Sequence, residues 1–430
     1  MAASSGSWAT DEGATTARLT LSAGNTGGIV VPPPVIEPPP FPAAAPSPAR
    51  EVGNREPAVT DVAGLDALIV IGSDESDNLF FATDTGAAAV SVQGGGGNDT
   101  LATGGGDDLV AGGEGDDLLE AGGGVDTLRG GEGADTFLVA AATGDSVEGG
   151  VGDDVIAVIG DVTDATVLDG GEGIDTLRPL LGPAFDPAVA ILVIENLALG
   201  RSAPRLTMAQ FDGFATIVAD AGATDGVLEL TTGGGATTEV TGLATLTLRA
   251  SGGDDDLSFT VSGEVETAIV VEAGGGGDTV SGASGHDTLR GGDGDDVLEG
   301  GVGGDDLLEG GAGADDMRGA SGDDIFRFAA PGEGGDTIRA FSAGDDVIEV
   351  SEGGFLGGLL AGVPLAGFQL VVNNAGSATA SAGVGQFVFD GNDGVLLWDA
   401  DGDDGEDDAV ELAELPGVAT LAPEDLVVVA

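Results

Sequence analysis

The chain has 430 residues, 81 of them glycine, and 75 acidic residues stand against 12 basic ones for a formal charge of −63. Every basic residue is arginine, lysine, cysteine and tyrosine are absent, and His286 is the sole histidine. A Ser-His-Asp or Cys-His site would have to be built on His286, a histidine-ligated zinc site lacks a second imidazole, and no lysine can form a Schiff base. So acidic a surface repels polyanions, which excludes nucleic acid as a partner. Without cysteine no disulfide staples the chain, and the compartment is left open on that count.

From the amino end, Met1 to Gly28 is small and polar, with no basic start leading into an apolar run, so no cleaved secretory leader is expected. Prolines at Pro32-Pro33-Pro34 and Pro38-Pro39-Pro40 read as a stiff spacer, and residues 1–58 as a disordered tail and linker. From Val59, short apolar runs such as Leu68-Ile69-Val70-Ile71 separated by Gly-Asp-Ser punctuation read as strands, and 59–93 forms a degenerate β cap.

A regular pattern opens at Gly94-Gly95-Gly96-Gly97-Asn98-Asp99-Thr100-Leu101 and recurs every nine residues, with aspartates at Asp99, Asp108, Asp117, Asp126 and Asp135. Two residues after each comes one apolar side chain: Leu101, Val110, Leu119, Leu128 and Phe137. Further units follow around Asp154 and Asp175, closing a first block at 94–178. A second block, 273–335, carries Asp278, Asp287, Asp296, Asp306, Asp315 and Asp324 with Val280, Leu289, Leu298, Leu308, Met317 and Phe326. One extra residue within Gly300 to Asp306 breaks the step and reads as a bulged turn.

The spacing has a physical reading. Six residues of Gly-Gly-x-Gly-x-Asp make a turn that needs positive φ and close backbone approach, and three make a strand. Two units close a coil of about 18 residues, and coils stack at roughly 4.8 Å. Aspartates two units apart then meet across adjacent coils, where unpaired carboxylates repel. A cation must lie between them, and hard oxygens on flexible backbone favour calcium over magnesium.

These units resemble the hemolysin-type calcium-binding nonapeptide of the repeat-in-toxin family, which implies an all-β fold: a parallel β-roll or β-solenoid with Ca2+ between coils. Carried onto this sequence, the resemblance implies the aspartates named above as metal ligands, with turn carbonyls such as Gly95, Gly97, Gly113, Gly115, Gly292 and Gly294. Departures such as Thr103, Ala121 and Ala283 at glycine positions mark weaker turns.

Between the blocks, 179–272 has strand-like runs such as Leu243-Ala244-Thr245-Leu246-Thr247-Leu248 and reads as a calcium-poor β-solenoid or sandwich spacer, with a short helix at Met208 to Phe214. The uncharged stretch Gly353 to Phe389 is interrupted by glycines, Pro364 and Gln369, and fits core strands rather than a membrane span. Residues 336–430 resemble the carboxy-terminal segment of type I secretion substrates, ending Asp425-Leu426-Val427-Val428-Val429-Ala430 and carrying an acidic cluster at Asp399, Asp401 and Asp403. That resemblance implies the type I secretion machinery as a partner and a secreted, extracellular or cell-surface location. No His-Glu-x-x-His or Gly-x-Ser-x-Gly motif is present, so no catalytic residue is assigned. The expected role is structural, surface-layer or adhesive, with a cell-surface or matrix glycan or self-assembly as partner. The alternative is a polysaccharide-acting enzyme that works with carboxylates.

Overall fold

The computed structural model describes residues 7–10, 16–20, 58–61, 67–72, 74–82, 89–140, 144–163, 165–200, 202–263, 266–355, 370–373, 385–400 and 409–430. The proline-rich run, residues 356–369 and 374–384 of the 353–389 stretch, and Asp401 and Asp403 lie outside the described residues. The chain is almost all β and forms two compact units, Met1–Ala198 and Leu199–Ala430. The division falls inside the 179–272 segment that the sequence marks as a single spacer.

In the first unit the strands alternate between two parallel sheets, so each coil contributes one strand to each. One sheet stacks Val92, Val110, Leu128, Val147 and Leu168 in register, and the other stacks Leu79, Leu101, Leu119, Phe137, Ile156 and Leu177. All eleven side chains are buried, which makes the apolar residue two places after each turn aspartate the core of the coil. Each such burial contributes about 1.5–3 kcal/mol. The intervening positions point outward, as in Thr127–Glu132, where Leu128 is buried and Arg129 exposed. That period of two is the strand signature.

The second unit repeats the plan. One sheet carries a single apolar row through Leu228, Leu248, Val271, Leu289, Leu308, Phe326, Ile348 and Leu426. Its companion stacks Ala236, Leu257, Val280, Leu298, Met317 and Ile338. The expected short helix is Met208–Phe211, capped by Thr207. The extra residue between Gly300 and Asp306 is absorbed by Gly303 and Gly304, both with positive φ, and pairing stays in register on both sides.

The coils run on past residue 335. Strands Asp336–Arg339 and Val347–Ser351 pair in parallel with the repeat strands before them, and Val410–Glu414 and Leu426–Val429 then add to the two sheets. Antiparallel strands Gln386–Asp390 and Val395–Asp399 complete the end. There Phe355, Phe387 and Trp398 form a buried aromatic cluster with ring centroids 4.7–5.9 Å apart. Among the described residues no helix is long and apolar enough to cross a membrane.

Candidate metal centre

The turn aspartates form four rows. In the first unit the main-chain N–H of each aspartate donates to Oδ1 of the aspartate one coil on: Asp77 to Asp99 at 2.7 Å, Asp99 to Asp117 at 2.7 Å, Asp117 to Asp135 at 2.8 Å, Asp135 to Asp154 at 2.7 Å and Asp154 to Asp175 at 2.8 Å. The second row starts with Val90 N–H on Asp108 Oδ1 and continues through Asp126 and Asp145. In the second unit one row runs Asp255, Asp278, Asp296, Asp315, Asp336 at 2.7–2.9 Å. The other opens with Ile269 N–H on Asp287 and continues Asp306, Asp324, Asp346 at 2.7–3.0 Å. The cause is the strand register: with coils stacked in parallel, equivalent turn positions lie directly over one another.

One oxygen of each carboxylate is thereby satisfied and the other is left over. The Oδ2 atoms of Asp99, Asp108, Asp117, Asp126, Asp135, Asp154, Asp175, Asp278, Asp296, Asp306, Asp315 and Asp336 are buried without a hydrogen-bond partner. Asp287 and Asp346 differ, since their Oδ2 atoms accept from Ala283 and Ser342 N–H. Buried polar groups are normally satisfied, and an orphaned charged oxygen is expensive. Burial accordingly pushes the carboxyls of Asp99, Asp126, Asp135, Asp296 and Asp306 up to about 7, those of Asp117 and Asp154 to about 6, and that of Asp336 to about 8, although the N–H bond from the previous coil pulls each one down. Burial raises Asp108, Asp175, Asp278, Asp287, Asp315 and Asp324 in the same way.

Glycine lines the space around most of these orphans, while Thr103, Ala121, Ala273 and Pro331 take that place before Asp108, Asp126, Asp278 and Asp336. A Cβ on Gly94 would collide with Asp99 Oδ2 and come within 2.7 Å of the Gly112 carbonyl oxygen of the next coil. Gly130, Gly149, Gly170, Gly282, Gly291, Gly300, Gly310 and Gly319 stand in the same relation to the aspartates five or six residues on. The carbonyl beside the orphan oxygen is thus that of the first turn glycine. The carbonyls of Gly95, Gly97, Gly113, Gly115, Gly292 and Gly294 instead face the glycine one coil on, where a Cβ would meet each of them. Among the described residues no three His, Asp or Glu side chains converge on one point, so main-chain carbonyl oxygens and water are left to complete a coordination sphere. An all-oxygen donor set in a cradle that small residues, mostly glycine, leave open fits calcium, which takes six to eight oxygens in loose geometry.

Five aspartates of these rows, Asp77, Asp145, Asp255, Asp336 and Asp346, stand outside the glycine-rich consensus. Their signal was the bare offset: Asp77-Asn78-Leu79, Asp145-Ser146-Val147, Asp255-Asp256-Leu257, Asp336-Thr337-Ile338 and Asp346-Val347-Ile348 all place an apolar residue two after the aspartate. Asp278 is therefore interior to its row rather than at its edge. Thr166 occupies the aspartate place one coil after Asp145, and Glu195, whose Oε2 accepts from Asp175 N–H, ends the longer row. His286 sits in an exposed turn, where Nδ1 accepts from Asp305 N–H at 2.7 Å. That bond holds the ring as part of the turn ladder alongside Asn98, Asp107, Asp116 and Asp295, which accept in the same way.

Parallel coils with rows of buried carboxylates at their glycine turns define a calcium-binding β-roll. The family model of the RTX calcium-binding nonapeptide repeat (4 copies) matches residues 84–110, 91–119, 103–137, 272–305 and 303–326. These two stretches therefore carry the calcium-binding nonapeptide repeat of the repeat-in-toxin family, and the cofactor they bind is Ca2+. No curated protein was found to match it.

Proposed function

We propose that the chain is exported through a type I machinery and, once outside, folds around calcium as a structural or adhesive module on a cell surface or in its matrix. The observation that carries this reading is the row of buried Oδ2 atoms without partners. Without a cation they oppose the fold, and with one they cross-link it coil by coil. The aspartates from Asp99 to Asp175 and from Asp278 to Asp324 hold the ions in this reading, joined by Asp77, Asp145, Asp255, Asp336 and Asp346 and by turn carbonyls. Low cytosolic calcium keeps the chain loose enough to thread an exporter, and extracellular modules of this kind bind at around 10⁻⁴–10⁻³ M. Secretion assays of the full chain and of a chain ending at residue 380, with circular dichroism of both during calcium titration, test export and folding separately. Export of the shortened chain would overturn the secretion route. A full β signal in excess chelator would overturn calcium-driven folding.

A further inference from the structure

The second unit carries a charge pattern on the outer face of one sheet that the calcium sites do not use. Arg205, Glu229, Arg249, Glu272, Arg290 and Glu309 are register partners on successive strands, and Arg327 and Glu349 extend the line one residue past the Leu308–Phe326 pair. The result is eight rungs of strictly alternating sign, neutral in sum, on a chain of charge −63. Within the chain the rungs pair at 3.5 Å (Arg205–Glu229), 3.0 Å (Arg249–Glu272), 3.3 Å (Arg290–Glu309) and 2.6 Å (Arg327–Glu349). They stay partly exposed, from 57% at Arg205 to 14% at Glu349. Beside this ladder, two residues earlier on each strand, runs a half-exposed row of Val227, Thr247, Val270, Thr288, Leu307, Ile325 and Val347.

An alternating line of even length is complementary to its own reverse. A two-fold axis lying along the strand direction, midway between the strands of Glu272 and Arg290, reverses the order of rungs but keeps each row over itself. Arg205 then meets Glu349 of a second copy, Glu229 meets Arg327, Arg249 meets Glu309 and Glu272 meets Arg290. The same operation lays Val227 on Ile325, Thr247 on Leu307 and Val270 on Thr288. A slip by one rung would put like charges together, so the pattern also sets the register. Such an interface is isologous, the commonest symmetry of homo-oligomers. At roughly 4.8 Å per rung it is about 34 Å long but only two rows wide, the size of a weak and reversible contact.

We propose that this face is a self-association surface, occupied by a second copy of the chain in antiparallel order. The proposal rests on the calcium-folded state and deepens the structural role, but it does not depend on the export route. Calcium bound along the roll lowers the negative charge that would otherwise hold two copies apart.

Sedimentation equilibrium of the full chain at about 100 μM in millimolar calcium tests it, with circular dichroism as the check on folding. The wild type is expected to dimerise reversibly. Arg290→Glu and Glu272→Arg should each weaken association about ten-fold or more, because each places like charges together twice across the axis. An equimolar mixture of the two variants should recover association, since each variant's defect complements the other's. A folded wild type that stays monomeric would overturn the proposal, as would single variants that dimerise unchanged or a mixture no stronger than its parts. Failure of calcium to induce folding is read by circular dichroism alone and bears on the earlier reading instead.

Discussion

Asp296 and Asp315 lie one coil apart, and the main-chain N–H of the first donates to Oδ1 of the second at 2.8 Å while Oδ2 of both is buried without a partner. Each interior aspartate therefore faces two gaps, one toward the coil before it and one toward the coil after. Among the described residues the same N–H to Oδ1 link joins five aspartate pairs in the first row, two in the second, four in the third and three in the fourth, fourteen in all. Nine of these pairs lie wholly within the glycine-rich units, and isothermal calorimetry is expected to count more than nine calciums. A plateau at nine or below would remove the added aspartates from the binding set.

Asp278→Ala and Asp296→Ala should cost the same amount of bound calcium, because Asp255 and Asp336 make both positions interior. Asp336→Ala, at the end of its row, should cost about half as much. Calcium counts of the three variants by calorimetry distinguish this order from one in which Asp278 is an edge.

Gly291→Ala should behave like loss of the neighbouring aspartate, since its Cβ would collide with Asp296 Oδ2 and lie 2.7 Å from the Gly310 carbonyl oxygen. Gly252→Ala is the control: nothing stands within 4 Å of its Cβ, and a surface change of that kind stays within about 0.5 kcal/mol. Thermal melts in calcium should show a fall of several degrees for the first and none for the second.

Acid should partly replace calcium. Burial raises the Asp296 carboxyl from 3.8 to about 7, so in the calcium-free coil its contribution to stability is full below about pH 4 and is lost as pH rises through 7. The calcium-free chain is thus expected to show more β signal at pH 4 than at pH 7.5. Calcium affinity should move the other way, rising between about pH 5 and 8 as protons leave Asp99, Asp126, Asp135 and Asp306, each also near 7. Titrations by circular dichroism at several pH values check both signs.

Ending the chain at residue 380 deletes strands Val410–Glu414 and Leu426–Val429, which close the two sheets beyond Asp336–Arg339 and Val347–Ser351. Calcium uptake by the first unit should be unchanged, while the second unit should melt earlier with Ile348 uncovered. Differential scanning calorimetry resolves the two units if this holds.

Much of this was legible because a nine-residue period writes one buried side chain and one turn aspartate per strand, so Leu289 and Asp287 announce their own positions. The row aspartates with no glycine turn before them were harder. At Asp336 the turn is Pro331-Gly332-Glu333-Gly334-Gly335, and its place in the row follows from pairing with Asp315, a contact 21 residues away. The segment between the blocks was ambiguous for a related reason: Leu246 and Leu248 alternate as any strand would, and only their neighbours Leu228 and Val271 show which sheet they join. The alternating ladder from Arg205 to Glu349 was invisible, because its members are 18 to 24 residues apart and acquire meaning only in register.

Shared ligands make each row a one-dimensional lattice, in which filling one gap orders half of the next. Steepness of calcium uptake should then scale with the number of consecutive gaps, as in repeat arrays whose units couple only to their neighbours. Thr166 sets the limit for one row: a hydroxyl where the lattice needs a carboxylate ends it after Asp145, whereas the row through Asp99 continues to Asp175. The first unit therefore holds two sensors of different sharpness wound into one coil.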